Sequence, residues 1–373
     1  MIGTNLGQYK VTDANAATAE TAKNAMQNSG NVKLNTLNSY KTLLNGATLN
    51  LPKAGQYFRI RGISGNYIDA SSLYNASTGQ MSMKSAAACN YKGTIFYLDE
   101  DKHLVNYATG TCIKETSEIG AVGAAAGVWS FAESPRTGKG KYALSCTTTN
   151  NNGRHLHDNS GNRADRCSSN CGNRHDFTLE EVTELPVTIG STGFGTLYAP
   201  VALTLPEGVK AYTGTVSQEE GEHVLTLYEV KEAIPAGTGV ILQSETKNKD
   251  YEFAITTSTA SSVKNDLKGA VISFKYSGNQ LYTLQTSTQS SSGVAFKRYN
   301  GGSVTGGKAY LELLGTQNAT AVRIRFADED ATEIENSEFI IQESEFIYDL
   351  TGRRVETMDK GVYIVNGKKV VIK

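Results

Sequence analysis

Three histidines (His155, His157, His175) and two cysteines (Cys167, Cys171) fall within 21 residues of a 373-residue chain that holds five of each type. The stretch 153-GRHLHDNSG-161 opens the group, and RADRCSSNCGNRHDF continues it. Zinc takes imidazole nitrogens and thiolates three or four at a time, and structural sites place Cys-x2–4-Cys beside a histidine pair. Cys167-x3-Cys171 and His155-x-His157 supply that inventory, since residues two apart in a strand share a face. The same cysteines could instead close a disulfide, with each other or with Cys146, or remain free thiols. All five cysteines (Cys89, Cys112, Cys146, Cys167, Cys171) lie in one window of 83 residues, so whatever they do concerns one domain.

The elements that must position this cluster are strands. Hydrophobic residues at 39% and charged residues at 20% describe a polar globular protein of two to three domains. A net charge of −1 gives no basic field for nucleic acid or an anionic membrane surface. No run of 18 apolar residues occurs, so no membrane span is expected. Nineteen tyrosines with abundant Thr, Ser and Gly favour strands and turns. The opening MIGTNLGQYK lacks the basic and apolar segments of a signal peptide, which fits a cytoplasmic protein or a piece excised from a longer one.

Residues 13 to 46 are the helical exception. Asp13 can cap DANAATAETAKNAMQ, Asn28-Ser29-Gly30 ends it, and Leu34, Leu37, Tyr40 and Leu44 recur at helical spacing before Gly46. Residues 1–49 therefore read as a helical hairpin, the end of an upstream region, too small to bury a core alone.

From Tyr57 the period changes to two. The strings 65-GNYID-69, 110-GTCIK-114 and 153-GRHLH-157 share Gly-x-x-aliphatic-polar at spacings of 45 and 43 residues. Each precedes an aromatic strand: 95-IFYL-98, 128-VWSF-131 and 176-DFTL-179. Three such units over residues 50–184 imply a β-trefoil, because one unit alone cannot bury its aromatic strand. The pattern resembles the ricin-type lectin family, whose lobes carry a Gly-x-x-Leu-Asp strand and end in Gln-x-Trp. Here the latter reads Thr94-Ile-Phe96, Gly127-Val-Trp129 and His175-Asp-Phe177, and the lobe Asp survives only as Asp69, with Lys114 and His157 in the other copies.

That resemblance implies carbohydrate binding. A carboxylate accepts two vicinal hydroxyls while an aromatic face stacks on the C–H surface of a sugar. Asp69 with Tyr67 or Tyr74 fits in the first copy. In the third, His157, Asp158 and Asn159 take the matching place, with His155 as the flat surface. The second copy, with Lys114, offers no such group.

After Leu185-Pro186 cysteine vanishes, and about nine short strands, FGTLYAP to AVRIRFAD, indicate an antiparallel β-sandwich over 185–330. TGFGTLYAP, IPAGTGVIL and KAYLEL resemble a β-rich module of exported Bacteroidetes proteins. Residues 331–373 read as a linker and a short C-terminal β tail, in which Asn366-Gly367 suits a type I′ turn between VYIV and KKVVIK. Asp349, Gly352, Arg353, Gly361, Tyr363 and Lys368 to Lys373 resemble the sorting region of proteins exported by the type IX system.

Signals for catalysis are thin. No Gly-x-Ser-x-Gly elbow and no His-Glu-x-x-His occurs, and no carboxylate pair stands out for glycoside hydrolysis. The string 302-GSVTGGKA-309 imitates a phosphate-binding loop but ends in Ala309 and joins two strands, AFKRY and AYLEL, so it reads as a Gly-rich hairpin loop. The expectation is a mostly β, non-catalytic accessory region of a secreted or cell-surface protein. Its partner is a polysaccharide or glycan, it needs no cofactor, and a catalytic domain lies upstream. The alternatives are a structural spacer and export region without ligand, or a glycoside hydrolase.

Overall fold

The structure, a computed structural model, describes residues 9–10, 48–134, 141–146, 154–167, 172–257, 264–290, 292–313, 319–327, 347–349, 354–355, 360–365 and 368–372. The helical hairpin expected over 13–46 and the linker at 331–346 lie outside the described residues. Within them the chain is mostly β, arranged in several largely antiparallel sheets, and its helices are two short 3-10 turns, Lys92–Thr94 and Gly172–His175. No helix among the described residues is long and apolar enough to cross a membrane.

Residues 57–181 form one ten-stranded sheet. Its first strand, Tyr57–Arg61, pairs with its last, Thr178–Glu181, with Phe58 opposite Glu181 and Arg61 opposite Thr178. A bridge between His103 and Val128 joins the two ends of the strand path, so the sheet closes on itself. The three sequence copies contribute alike to the interior. Ile68, Ile113 and Leu156 fill the aliphatic position, Phe96, Trp129 and Phe177 the aromatic one, and all six are 0% exposed within one apolar cluster. Burying large aromatics in matched positions is the main favourable term for such a unit.

Residues 184–327 carry a four-stranded sheet and a nine-stranded one. The sheets are antiparallel as expected, except where Glu222–Val230 runs parallel to Ala321–Phe326. The Gly-rich stretch at 302–309 is not a hairpin loop. Val294–Arg298 and Lys308–Glu312 do not pair with each other but flank Leu281–Thr286, and the intervening Gly302–Val304 pairs with Phe274–Tyr276. Sequential neighbours separated by a short Gly-rich turn looked like a hairpin because the long-range partner strand is invisible to local pattern.

A second apolar cluster runs across the boundary at 184/185. Tyr57, Ile95, Tyr97, Val105 and Cys112 pack in it with Val182, Leu185, Val187 and Phe253. Polar ties reinforce it: Tyr107 donates to the Pro186 carbonyl at 3.0 Å, Ser273 Oγ donates to the Thr109 carbonyl at 2.9 Å, and Lys92 pairs with Asp250 at 2.9 Å. Near the C-terminus, Gly361–Val365 pairs with Lys368–Ile372, Val365 opposite Lys368, while Asn366 and Gly367 lie outside the described residues.

Candidate functional site

The third copy folds as an antiparallel pair, Arg154–Asn159 with Arg163–Cys167. Leu156 and Ala164 face the core. His155, His157 and Asn159 stand on the other face, opposite Cys167, Asp165 and Arg163 respectively. Ser160 and Gly161 both adopt positive φ in the connecting turn (57° and 71°), which suits the glycine and strains the serine.

The histidines meet each other, not a metal-binding geometry. The His155 and His175 rings lie 4.9 Å apart, and His157 and His175 6.0 Å apart. His155 Nδ1 shares a 2.7 Å hydrogen bond with Ser145 Oγ. Cys167 is disulfide-bonded, which removes it from any ligand set, and Cys171 lies outside the described residues. Cys89, Cys112 and Cys146 are free, so Cys146 is not the disulfide partner. Among the described residues the donor atoms close enough to share an ion belong to Asp99, Asp101 and His103. There Asp99 already accepts from the His103 backbone N–H at 2.7 Å and contacts its Nδ1 at 2.9 Å, which explains the cluster as a turn brace.

His157 is 7% exposed, and its Nε2 has no hydrogen-bond partner among the described residues. Desolvation, helped by the Arg174 guanidinium, holds its pKa below the ordinary histidine value. The unfolded chain therefore takes up this proton more readily than the folded one. The stability His157 contributes is present above about pH 6.5 and declines as pH falls below it. Melting temperatures between pH 8 and 5 are expected to fall less steeply for His157→Gln than for the wild type; equal slopes would contradict a neutral buried imidazole.

In the first copy, two of the expected sugar ligands are already occupied. Tyr67 is buried, its hydroxyl donates to Glu180 at 2.9 and 3.0 Å, and the Arg59 guanidinium lies 3.7 Å over its ring. Arg61 pairs with the same Glu180 at 2.9 Å. Asp69 is 1% exposed; Oδ1 accepts from the Ser71 N–H and hydroxyl, and Oδ2 from the Asn90 N–H. Asp158, also 1% exposed, accepts from the Ser64 N–H at 2.9 Å and the Gly161 N–H at 2.7 Å. Both carboxylates brace backbone. In the second copy Lys114 pairs with Glu118 at 3.0 Å.

Two expected residues do come together, through two that sequence reasoning missed. Tyr74 is 53% exposed, and the Arg163 guanidinium sits 5.1 Å over its ring. Arg163 Nε and Asn159 Nδ2 both donate to Asp165 Oδ2 at 3.2 Å, and the Arg166 N–H donates to Oδ1 at 2.9 Å. Desolvation pushes the Asp165 carboxyl up, but these hydrogen bonds outweigh it and hold its pKa below the usual carboxylate value. The result is an ionised carboxylate, an amide and an aromatic face on one surface. The signal was available: pairing RHLHDN with RADRC about the SGN turn puts Asp165 opposite His157 and Arg163 opposite Asn159.

No protein-family model matches the chain, and no curated protein does. Among solved structures, the chain is similar to the Macrolepiota procera ricin B-like lectin in complex with lactose, at 11% identity and a TM-score of 0.27, over 35% of this chain and 99% of that one. A designed 3-fold symmetric protein, ThreeFoil, aligns at 15% identity and a TM-score of 0.26, over 34% and 99%. A mosquitocidal holotoxin aligns over 74% of this chain and 34% of its own length, at 8% identity and a TM-score of 0.29. Likeness at this level carries no argument, so the function rests on the residues themselves.

Proposed function

We propose that residues 50–184 form a β-trefoil that binds carbohydrate weakly, as the accessory region of a secreted or cell-surface glycan-active protein with its catalytic domain upstream. The observation that carries this is the exposed Tyr74 face beside the Arg163–Asp165–Asn159 network. An ionised Asp165 with acceptor capacity to spare meets vicinal hydroxyls, the Asn159 amide and Arg163 add donors, and Tyr74 offers its ring to sugar C–H groups. Matched burial of Ile68, Ile113 and Leu156 with Phe96, Trp129 and Phe177 supports the three-lobed reading. The disulfide at Cys167 fits an oxidising compartment, as does the resemblance of the tail to a type IX sorting region.

The full chain is the right material for the test, because the second apolar cluster spans both β units. Probed on a glycan array, it is expected to retain at least one polysaccharide. Tyr74→Ala and Asp165→Ala should each weaken that binding roughly tenfold or more, the scale of one lost charge-assisted hydrogen bond or stacking contact. Silence across the whole array would sink the proposal in favour of a spacer without ligand, a reading that the backbone-braced Asp69 and Asp158 favour.

A further inference from the structure

The Gly-Gly-Lys turn that imitates a phosphate loop borders a hollow in the β unit of residues 184–327. A cavity of about 400 Å³ lies between the strands Phe194–Ala199, Leu281–Thr286 and Lys308–Glu312. That volume falls within the range of small-molecule sites, about 300–1,000 Å³. Phe194, Tyr299 and Tyr310 line it together with Thr283, Thr286, Ser303 and Gln285, whose Nε2 donates to Thr283 Oγ1 at 3.0 Å.

Charge is what distinguishes this lining. Among the described residues that form it there is no carboxylate, and Lys308 is the sole ionisable group of either full charge. Lys308 has no ion-pair or hydrogen-bond partner among the described residues, whereas neighbouring lysines are paired: Lys268 with Glu312 at 2.7 Å and Lys92 with Asp250 at 2.9 Å. Lys308 reaches solvent, yet desolvation by the surrounding protein and the Lys92 ammonium pull its pKa below the usual lysine range. A smaller hollow of about 160 Å³ shares Thr305 and Lys308 with the first and extends to Lys92 and Tyr107, so Lys308 stands on the rim between the two. An ammonium held there without a counter-charge is stabilised by whatever anion enters.

We infer that this cavity binds an acidic saccharide unit, a pyranose bearing a carboxylate, with Lys308 on the carboxylate, the ring side chains on its C–H faces, and the Thr, Ser and Gln groups on its hydroxyls. Hydroxyls and amides that both donate and accept suit a polyol. A single flexible ammonium acts as a point charge for one anionic group, and the hydroxyls, amide and rings around it suit a sugar carrying that group better than a bare anion. This site is separate from the Tyr74 surface and does not depend on it.

Saturation-transfer NMR on the full chain, titrated with D-galacturonate, tests the inference, with D-galactose and acetate as comparison probes. Galacturonate is expected to bind saturably and more tightly than either probe. Lys308→Gln should weaken it at least about tenfold, the typical worth of one charge-assisted pair in a partly enclosed site. Lys308→Arg should retain most of the binding, and Tyr310→Ala should weaken galacturonate and galactose alike. Acetate binding as well as galacturonate would reduce the site to an anion contact and overturn the saccharide assignment. Absence of saturable galacturonate binding, or binding indifferent to both Lys308→Gln and Tyr310→Ala, would overturn the site itself.

Discussion

Trp129→Ala is expected to destabilise the protein by about 3–5 kcal/mol, the cost of deleting a fully buried aromatic and leaving a cavity. Trp129 is 0% exposed, packs with Phe96 and Phe177, and donates its Nε1–H to the Ile113 carbonyl at 3.3 Å. Guanidinium unfolding followed by far-UV circular dichroism checks this, since the substitution removes the chain's single tryptophan. A loss below about 1 kcal/mol would mean that the ring is a replaceable surface platform. Phe131, half-buried beside the same cluster, should cost less when truncated.

Asp158→Ala should cost about 1–3 kcal/mol, because it strands the buried Gly161 N–H and also removes the acceptor of the more exposed Ser64 N–H. The Ser64 bond ties the turn of the third copy to a loop of the first, across 94 residues of chain, while the Gly161 bond closes that turn. Asp165→Ala makes the contrast: its carboxylate is part-exposed, so its loss should change stability by less than about 1 kcal/mol while reducing glycan retention. Thermal melts of the two variants beside array binding separate bracing from recognition. If Asp158→Ala melted like the wild type and lost only binding, the roles assigned to the two carboxylates would be reversed.

What the sequence made legible was whatever repeats locally. Period-two alternation located the strands, and the spacing of GNYID, GTCIK and GRHLH located Ile68, Ile113 and Leu156 as equivalent interior positions. What stayed hidden depends on which strand lies next to which. Tyr67 reads as an exposed ring until Arg61 is found opposite it and Glu180 beneath its hydroxyl. Asp165 carried no motif at all; its role comes from standing across from His157. The apparent hairpin at 302–309 failed for the same reason, since its two strands flank a third. Lys308, dismissed with that imitation loop, gains its interest from a cavity assembled by residues more than a hundred positions apart.

The pairing of Tyr57–Arg61 with Thr178–Glu181 also governs how the protein would respond to tension. Because Phe58 lies opposite Glu181, the chain arrives and departs at the same end of that pair. Pulling on both ends would strain its rungs one at a time, beginning with the bond from the Val182 N–H to the Tyr57 carbonyl, the geometry of a zipper instead of a lap joint. That outermost rung does not stand in water: Tyr57 and Val182 are buried together with Leu185 and Val187 from the following unit. The zipper therefore starts under an apolar clasp, and a tether built on this chain would resist until the seam between its two β units opens.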